Sequence, residues 1–226
     1  MTPAAEGSTY GAPQERPQPM TFEDPFDPQE PDLEAQDALI EELVERQPAI
    51  ALIRRFASGA SRAPWFARLG DPLSEEDMEA AQAYLAALGF SDATPARVST
   101  WEDAIAAAES LDWDSEGWAR EESLRAGLTS IALETLSEEE FEVVMSYVSS
   151  IVAPQIKAAA DEVARLSDLE DAEILTAAVG AGIQATYAAL LVLLAGEEDH
   201  PFTHRYNLFL RGRWPMGVAG LTMNIF

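Results

Sequence analysis

The chain has 226 residues, 47% of them apolar, and its 40 Asp+Glu against 14 Lys+Arg give a formal net charge of −26. That length and apolar content suffice for one domain, or two small ones, with a buried core. Cysteine is absent, which excludes disulfides, thiolate metal sites and cysteine nucleophiles.

An acidic excess of this size repels phosphate backbones and anionic lipid, so direct contact with nucleic acid or a membrane surface is disfavoured and a basic protein is the expected partner. The charge is distributed in two parts. Residues 1–199 hold all 40 acids against 11 basic residues, whereas residues 200–226 hold three arginines, both histidines and no acid.

Residues 1–32 contain seven of the fourteen prolines and lack both helical and strand periodicity, which predicts an extended, mobile, acidic arm. Its segment MTFEDPFDP sets Phe22 and Phe26 among carboxylates, a composition suited to docking in a basic or apolar groove. The start of the chain shows no basic patch followed by an apolar run, so a cytoplasmic location is expected.

From Leu33 the pattern becomes helical, and residues 33–199 read as an acidic multi-helix bundle. Ala35, Leu39, Ile40, Leu43 and Val44 fall at three- and four-residue steps along one face, with Pro48 expected to kink or restart that helix. Ser74 is placed to cap the next helix, with Glu75, Glu76 and Asp77 complementing its positive end. Thr100 or Ser99 opens another. Asp114 or Ser115 opens the one after, through GWAREESLRAGLTSIALETL.

Within DWDSEGWAREE, Asp112, Asp114, Glu116 and Gly117 occupy the first, third, fifth and sixth positions of a calcium loop, but the twelfth, which requires a bidentate Glu, is Ser123. Helix capping accounts for these residues better. Trp113 and Trp118 flank the same acidic turn and are candidate anchors for a basic partner.

Ser137 and Glu140 form a capping box ahead of a stripe of Phe141, Val144, Val148, Ile151 and Val152, interrupted at Pro154 and resuming to about Leu166. LSEEDMEAAQAYL from Leu73 and LSEEEFEVVMSYV from Leu136 match at a spacing of 63, and VSTWEDA and LSDLEDA match more loosely at 68. A duplicated helix pair would produce that spacing, and so would the common chemistry of helix caps.

Ile174 to Gly196 carries no charge over 23 residues, enough to cross a bilayer. Both flanks are acidic, where a spanning segment would show Lys or Arg on one side, so a buried core helix is the expectation, with Gly180 and Gly182 admitting a close neighbour.

In residues 200–226, Thr203 is placed to cap a short helix sharing Tyr206, Phe209 and Leu210 on one face and stopped by Gly212. The period then changes to two. A turn at Ala219-Gly220 would pair Val218 with Leu221, Met216 with Met223 and Trp214 with Ile225, giving a hairpin with one apolar face. Packed on the bundle, this tail would pair Arg205, Arg211 and Arg213 with the body's carboxylates.

Glu197, Asp199, His200 and His204 are the candidate metal ligands, although Pro201 prevents a regular helical pair of histidines and a di-iron bundle needs a second Glu-x-x-His. Phosphate loops, HExxH and GxSxG are missing from the sequence. The sequence therefore predicts a mainly all-α multi-helix bundle closed by a small C-terminal hairpin. It would act as a non-enzymatic protein-binding module without a cofactor. The alternatives are a metal-dependent enzyme using Glu197–His204 and membrane attachment through residues 174–196.

Overall fold

The computed structural model describes residues 48–111 and 116–226. The elements among them are α1 (Pro48–Ala60), α2 (Glu75–Ala87), β1 (Thr94–Arg97), α3 (Trp101–Glu109), α4 (Glu116–Thr135), α5 (Glu138–Ser167), α6 (Ala172–Ala195), α7 (Pro201–Leu210), β2 (Pro215–Ala219) and β3 (Thr222–Ile225). The fold is mostly helical with a small sheet near the C-terminus, as the periodicity predicts. The expected arm with Phe22 and Phe26, the helix before Pro48, and the turn holding Asp112, Trp113 and Asp114 lie outside the described residues.

Helix starts follow the cap chemistry. The Ser74 and Ser137 hydroxyls accept from the backbone N–H of Asp77 and Glu140, and the Asp77 and Glu140 carboxylates accept from the cap residues' own N–H groups. Two otherwise orphaned donors are satisfied at each helix. Thr100 caps α3 and Asp171 caps α6 in the simpler way. The apparent repeat maps onto these caps. Its first copy is a 13-residue helix followed by a strand and a 9-residue helix, its second a pair of 30 and 24 residues.

The expected interruption at Pro154 does not occur, and α5 runs through it as one helix. Val144, Val148, Val152, Ile156, Ala160 and Ala164 are buried at four-residue steps on both sides of the proline, which itself faces outward. A proline in a helix interior costs about 3 kcal/mol. Burying Val152 and Ile156 alone returns about 1.5–3 kcal/mol each, so continuing the helix is favoured.

From Ile174 on, α6 carries no charge, and the helix packs against α1, α4, α5 and α7. By length and composition both α5 and α6 could cross a membrane, and half of the most apolar window of α6 is buried by its neighbours. The expectation about its glycines divides. A Cβ at Gly182 would come within 3.1 Å of Ile156 on α5, whereas one at Gly180 would meet nothing.

The sheet corrects the sequence reading in two ways. First, it has three strands in the order β1-β3-β2, with β1 parallel to β3. Pro95 has no N–H to donate, which an edge strand tolerates. β3 therefore has a neighbour on each side. Second, the hairpin turn is shifted by one residue: Val218 faces Met223 and Ala219 faces Thr222, leaving Gly220 and Leu221 as the turn. Gly220 takes φ 61 at the first turn position, as a type II′ turn requires, and Leu221 projects to solvent.

Each partner thus moves by two residues, an even shift that leaves side chains on their faces, and an irregularity between Pro215 and Gly217 follows. The expected single apolar face is not found: Trp214 and Met216 are buried in the main core, whereas Met223 and Ile225 are buried in a second cluster with Leu85, Leu88 and Leu208. Trp214 and Phe226 then close the pair with reciprocal backbone bonds of 2.7 and 2.9 Å.

Candidate functional site

The polar residues that the fold brings together lie where the basic tail meets α2 and α4. Each expected tail arginine finds a carboxylate. Arg213, fully buried, sits with Nη2 3.0 Å and Nε 3.1 Å from Asp77 Oδ2. Its remaining N–H groups reach the carbonyls of Arg68 (2.5 Å), Asp71 (2.9 Å) and Pro72 (2.6 Å), binding the loop after α1 to the tail. Burial pushes the Asp77 carboxyl up, but the Ser74 N–H and the Arg213 guanidinium outweigh it and hold the group below its ordinary value.

The second cluster is Tyr84, Glu121 and Arg205. Arg205 Nη1 lies 2.9 Å from Glu121 Oε2, and Tyr84 donates its hydroxyl to Glu121 Oε1. Burial raises the Tyr84 phenol far above its usual range, so it stays a neutral donor. Burial opposes the charge on Arg205 too, but the Glu121 carboxylate more than offsets this and raises its pKa. Arg211 pairs with Glu76 on α2 at the surface. Sequence reasoning named the three arginines but not their partners. Asp77 reads as a cap residue and Glu121 as one acid among many, and only the crossing of α2, α4 and α7 selects them.

The candidate metal residues are placed otherwise. His200 is buried, and its Nδ1 accepts the Phe202 N–H at 3.2 Å, making it the N-cap of α7. This corrects the expected cap at Thr203: Pro201, with its preset φ and no N–H, starts the helix and leaves its neighbour to cap it. Burial, first, and His204 lower the His200 pKa, against Glu197, which raises it. His204 Nε2 lies 3.0 Å from Asp199 Oδ1, while Glu197 and Asp199 face solvent. Among the described residues, no three His, Asp or Glu side chains gather as metal ligands.

Trp118 lies on α4 with 41% of its surface exposed. Between α5 and α6 a shallow surface indentation is lined by Ser149, Val152, Ala153, Ile156, Ile183, Thr186 and Tyr187. None of these is an acid or an imidazole, and the Thr186 hydroxyl is bonded to the Gly182 carbonyl. The chain matches no known protein family, no curated protein and no solved structure.

The electrostatic outcome follows from these pairings. Among the described residues only two carboxylates, Asp77 and Glu121, are buried, and tail arginines meet both of them. The outward face keeps exposed acids at several places, including Glu138, Glu139 and Glu142 on α5 and Glu197, Glu198 and Asp199 after α6.

Proposed function

We propose that the protein is a non-enzymatic binding module that engages a basic protein through its acidic surface, as an inhibitor, an immunity protein or an adaptor does. The observation that carries this reading is the direction of the charges. Arg205 and Arg213 turn inward and Arg211 pairs with Glu76 at the surface, so the tail's cations serve the fold, while most of the described carboxylates face solvent. A surface of one sign steers an opposite partner and rejects like-charged ones. Rows of outward Glu could occupy a basic groove that otherwise takes nucleic-acid phosphates, which makes phosphate mimicry one version of the same function. Trp118, with Phe22, Phe26 and Trp113 in the sequence, would supply apolar anchors to such contacts.

Affinity purification of the full chain from its native cell, at low and at moderate salt, tests the proposal. A basic protein in stoichiometric amount that leaves as salt rises is the expected result. A partner indifferent to salt, or none under either condition, would overturn it.

A further inference from the structure

We infer that the outward side of α1 is a docking surface for an acidic segment of another protein, apart from the acidic surface proposed to meet a basic partner. From Gln47 to Gly70 the chain carries four arginines and no acid, repeating the composition of the C-terminal tail. The tail's arginines are matched to carboxylates of the body. Two of the four here are not. Ile53, Ala57 and Ala60 turn into the core, so Leu52, Arg55, Ser58 and Gly59 lie exposed on the opposite side of the helix, and Arg62 is exposed just past its end. Among the described residues, Arg55 meets no hydrogen-bond or ion-pair partner. Arg62 folds back and donates Nε to the Ser58 carbonyl at 2.8 Å and Nη2 to the Ser58 hydroxyl at 2.9 Å, both neutral acceptors. Those bonds set its guanidinium over Ser58, three residues beyond Arg55 on the same side of α1.

The occupant follows from charge. Exposed cations of α5 find carboxylates of their own helix, Lys157 with Asp161 and Arg165 with Glu162. Arg55 and Arg62 keep their charge for a carboxylate from outside, which a guanidinium binds with two parallel N–H donors. A nucleic acid would satisfy them too, but its long run of phosphates is repelled by a chain of net charge −26. A short segment with about two or three carboxylates has only this face to match, because charges beyond about 8 Å are screened at physiological ionic strength. Leu52, 41% exposed, adds an apolar contact, and a Cβ at Gly59 would meet nothing, so the segment's backbone can come close. Acids on one side and this stripe on another would let an adaptor hold two proteins at once.

The test is an NMR titration of the isotope-labelled full chain, at roughly physiological ionic strength, with a dodecapeptide of alternating Glu-Glu and Leu-Leu pairs. The same peptide with Gln for Glu is the control. The Glu peptide should move the amide resonances of Leu52 to Arg62, and the Gln peptide should bind about fivefold more weakly. Arg55→Gln combined with Arg62→Gln should weaken the Glu peptide about fivefold, whereas Arg165→Gln, which removes a cation already paired with a carboxylate, should change it by less than about 1.5-fold. The spectra themselves check that each variant is folded. Shifts confined to other helices, equal binding by the two peptides, or no shifts at all would overturn the α1 docking face and leave the reading of the acidic surface standing. If the same resonances move when the chain alone is concentrated, a second copy is the occupant and the inference is likewise overturned.

Discussion

Between α5 and α6 the buried side chains are aliphatic or small, from Val144 and Ile156 to Ala178 and Leu190, and Thr186 satisfies its hydroxyl within its own helix. Between the tail and α2 and α4 the buried set instead includes Asp77, Glu121 and Arg213. The first region is held by burial that has no preferred direction, so shape and volume suffice. In the second, a guanidinium has to meet one carboxylate and three carbonyls at once, which fixes where the loop after α1, α2 and the sheet lie relative to one another. The comparison teaches that a strongly acidic chain can use its few cations as internal staples. The arginines of the basic tail, expected to pair with the body's carboxylates, belong to the fold.

The largest effect should come from Arg213→Met. Leaving Asp77 buried without its partner, and three carbonyls without donors, should cost about 3–5 kcal/mol of unfolding free energy in a denaturant titration. A cost under about 1 kcal/mol would erase the distinction between the two regions, since it is what a surface pair gives.

Leu190→Ala probes the apolar side. It should cost about 3 kcal/mol by the same titration, and Leu190→Met less than about 1.5 kcal/mol, because that swap conserves volume. Equal losses for the two variants would mean that α6 is not the tightly packed centre described above.

Ser137→Ala removes one half of a capping box and should cost about 1 kcal/mol, against a few tenths for Ser137→Gly. Thermal melts of the two variants resolve that difference.

The smallest effect concerns the tail's own cap. His200 has its pKa lowered by burial, so between that lowered value and the ordinary value of about 6.5 the unfolded chain binds more protons than the folded one. Its contribution is complete above about 6.5 and is lost as the pH falls through the folded value, where the Nδ1 that caps α7 becomes protonated. His200→Asn, which still caps but does not titrate, should flatten this part of the stability profile. An unchanged slope would assign it to other groups.

Much of the helical architecture is legible in the sequence because caps and stripes are local. Ser74, Thr100 and Ser137 announce helix starts with a hydroxyl or a reciprocal Glu or Asp, and the four-residue steps of Val144 to Ala164 announce a buried face. β1 was not legible. Thr-Pro-Ala-Arg has no alternation and a proline, and it becomes a strand only because β3 offers it an edge 125 residues or more away in the chain. The hairpin register failed for a similar reason: pairing by hydrophobic matching cannot foresee a bulge near Met216, where Gly217 at φ 143 lies under Leu111. At the candidate site the three arginines could be named, because cations in an acid-free tail must pair with something. Their partners depend on how helices cross, which local pattern does not encode.

The most direct measurement of the staple is a double-mutant cycle between Asp77 and Arg213. Asp77→Asn keeps an acceptor for the Ser74 N–H while removing the charge, and Arg213→Met removes the guanidinium. If the tail is held by this pair, the doubly substituted chain should be more stable than the sum of the two single losses implies, by about 1–3 kcal/mol. Losses that add to within about 0.5 kcal/mol would show that the two residues do not act together, and would contradict the account.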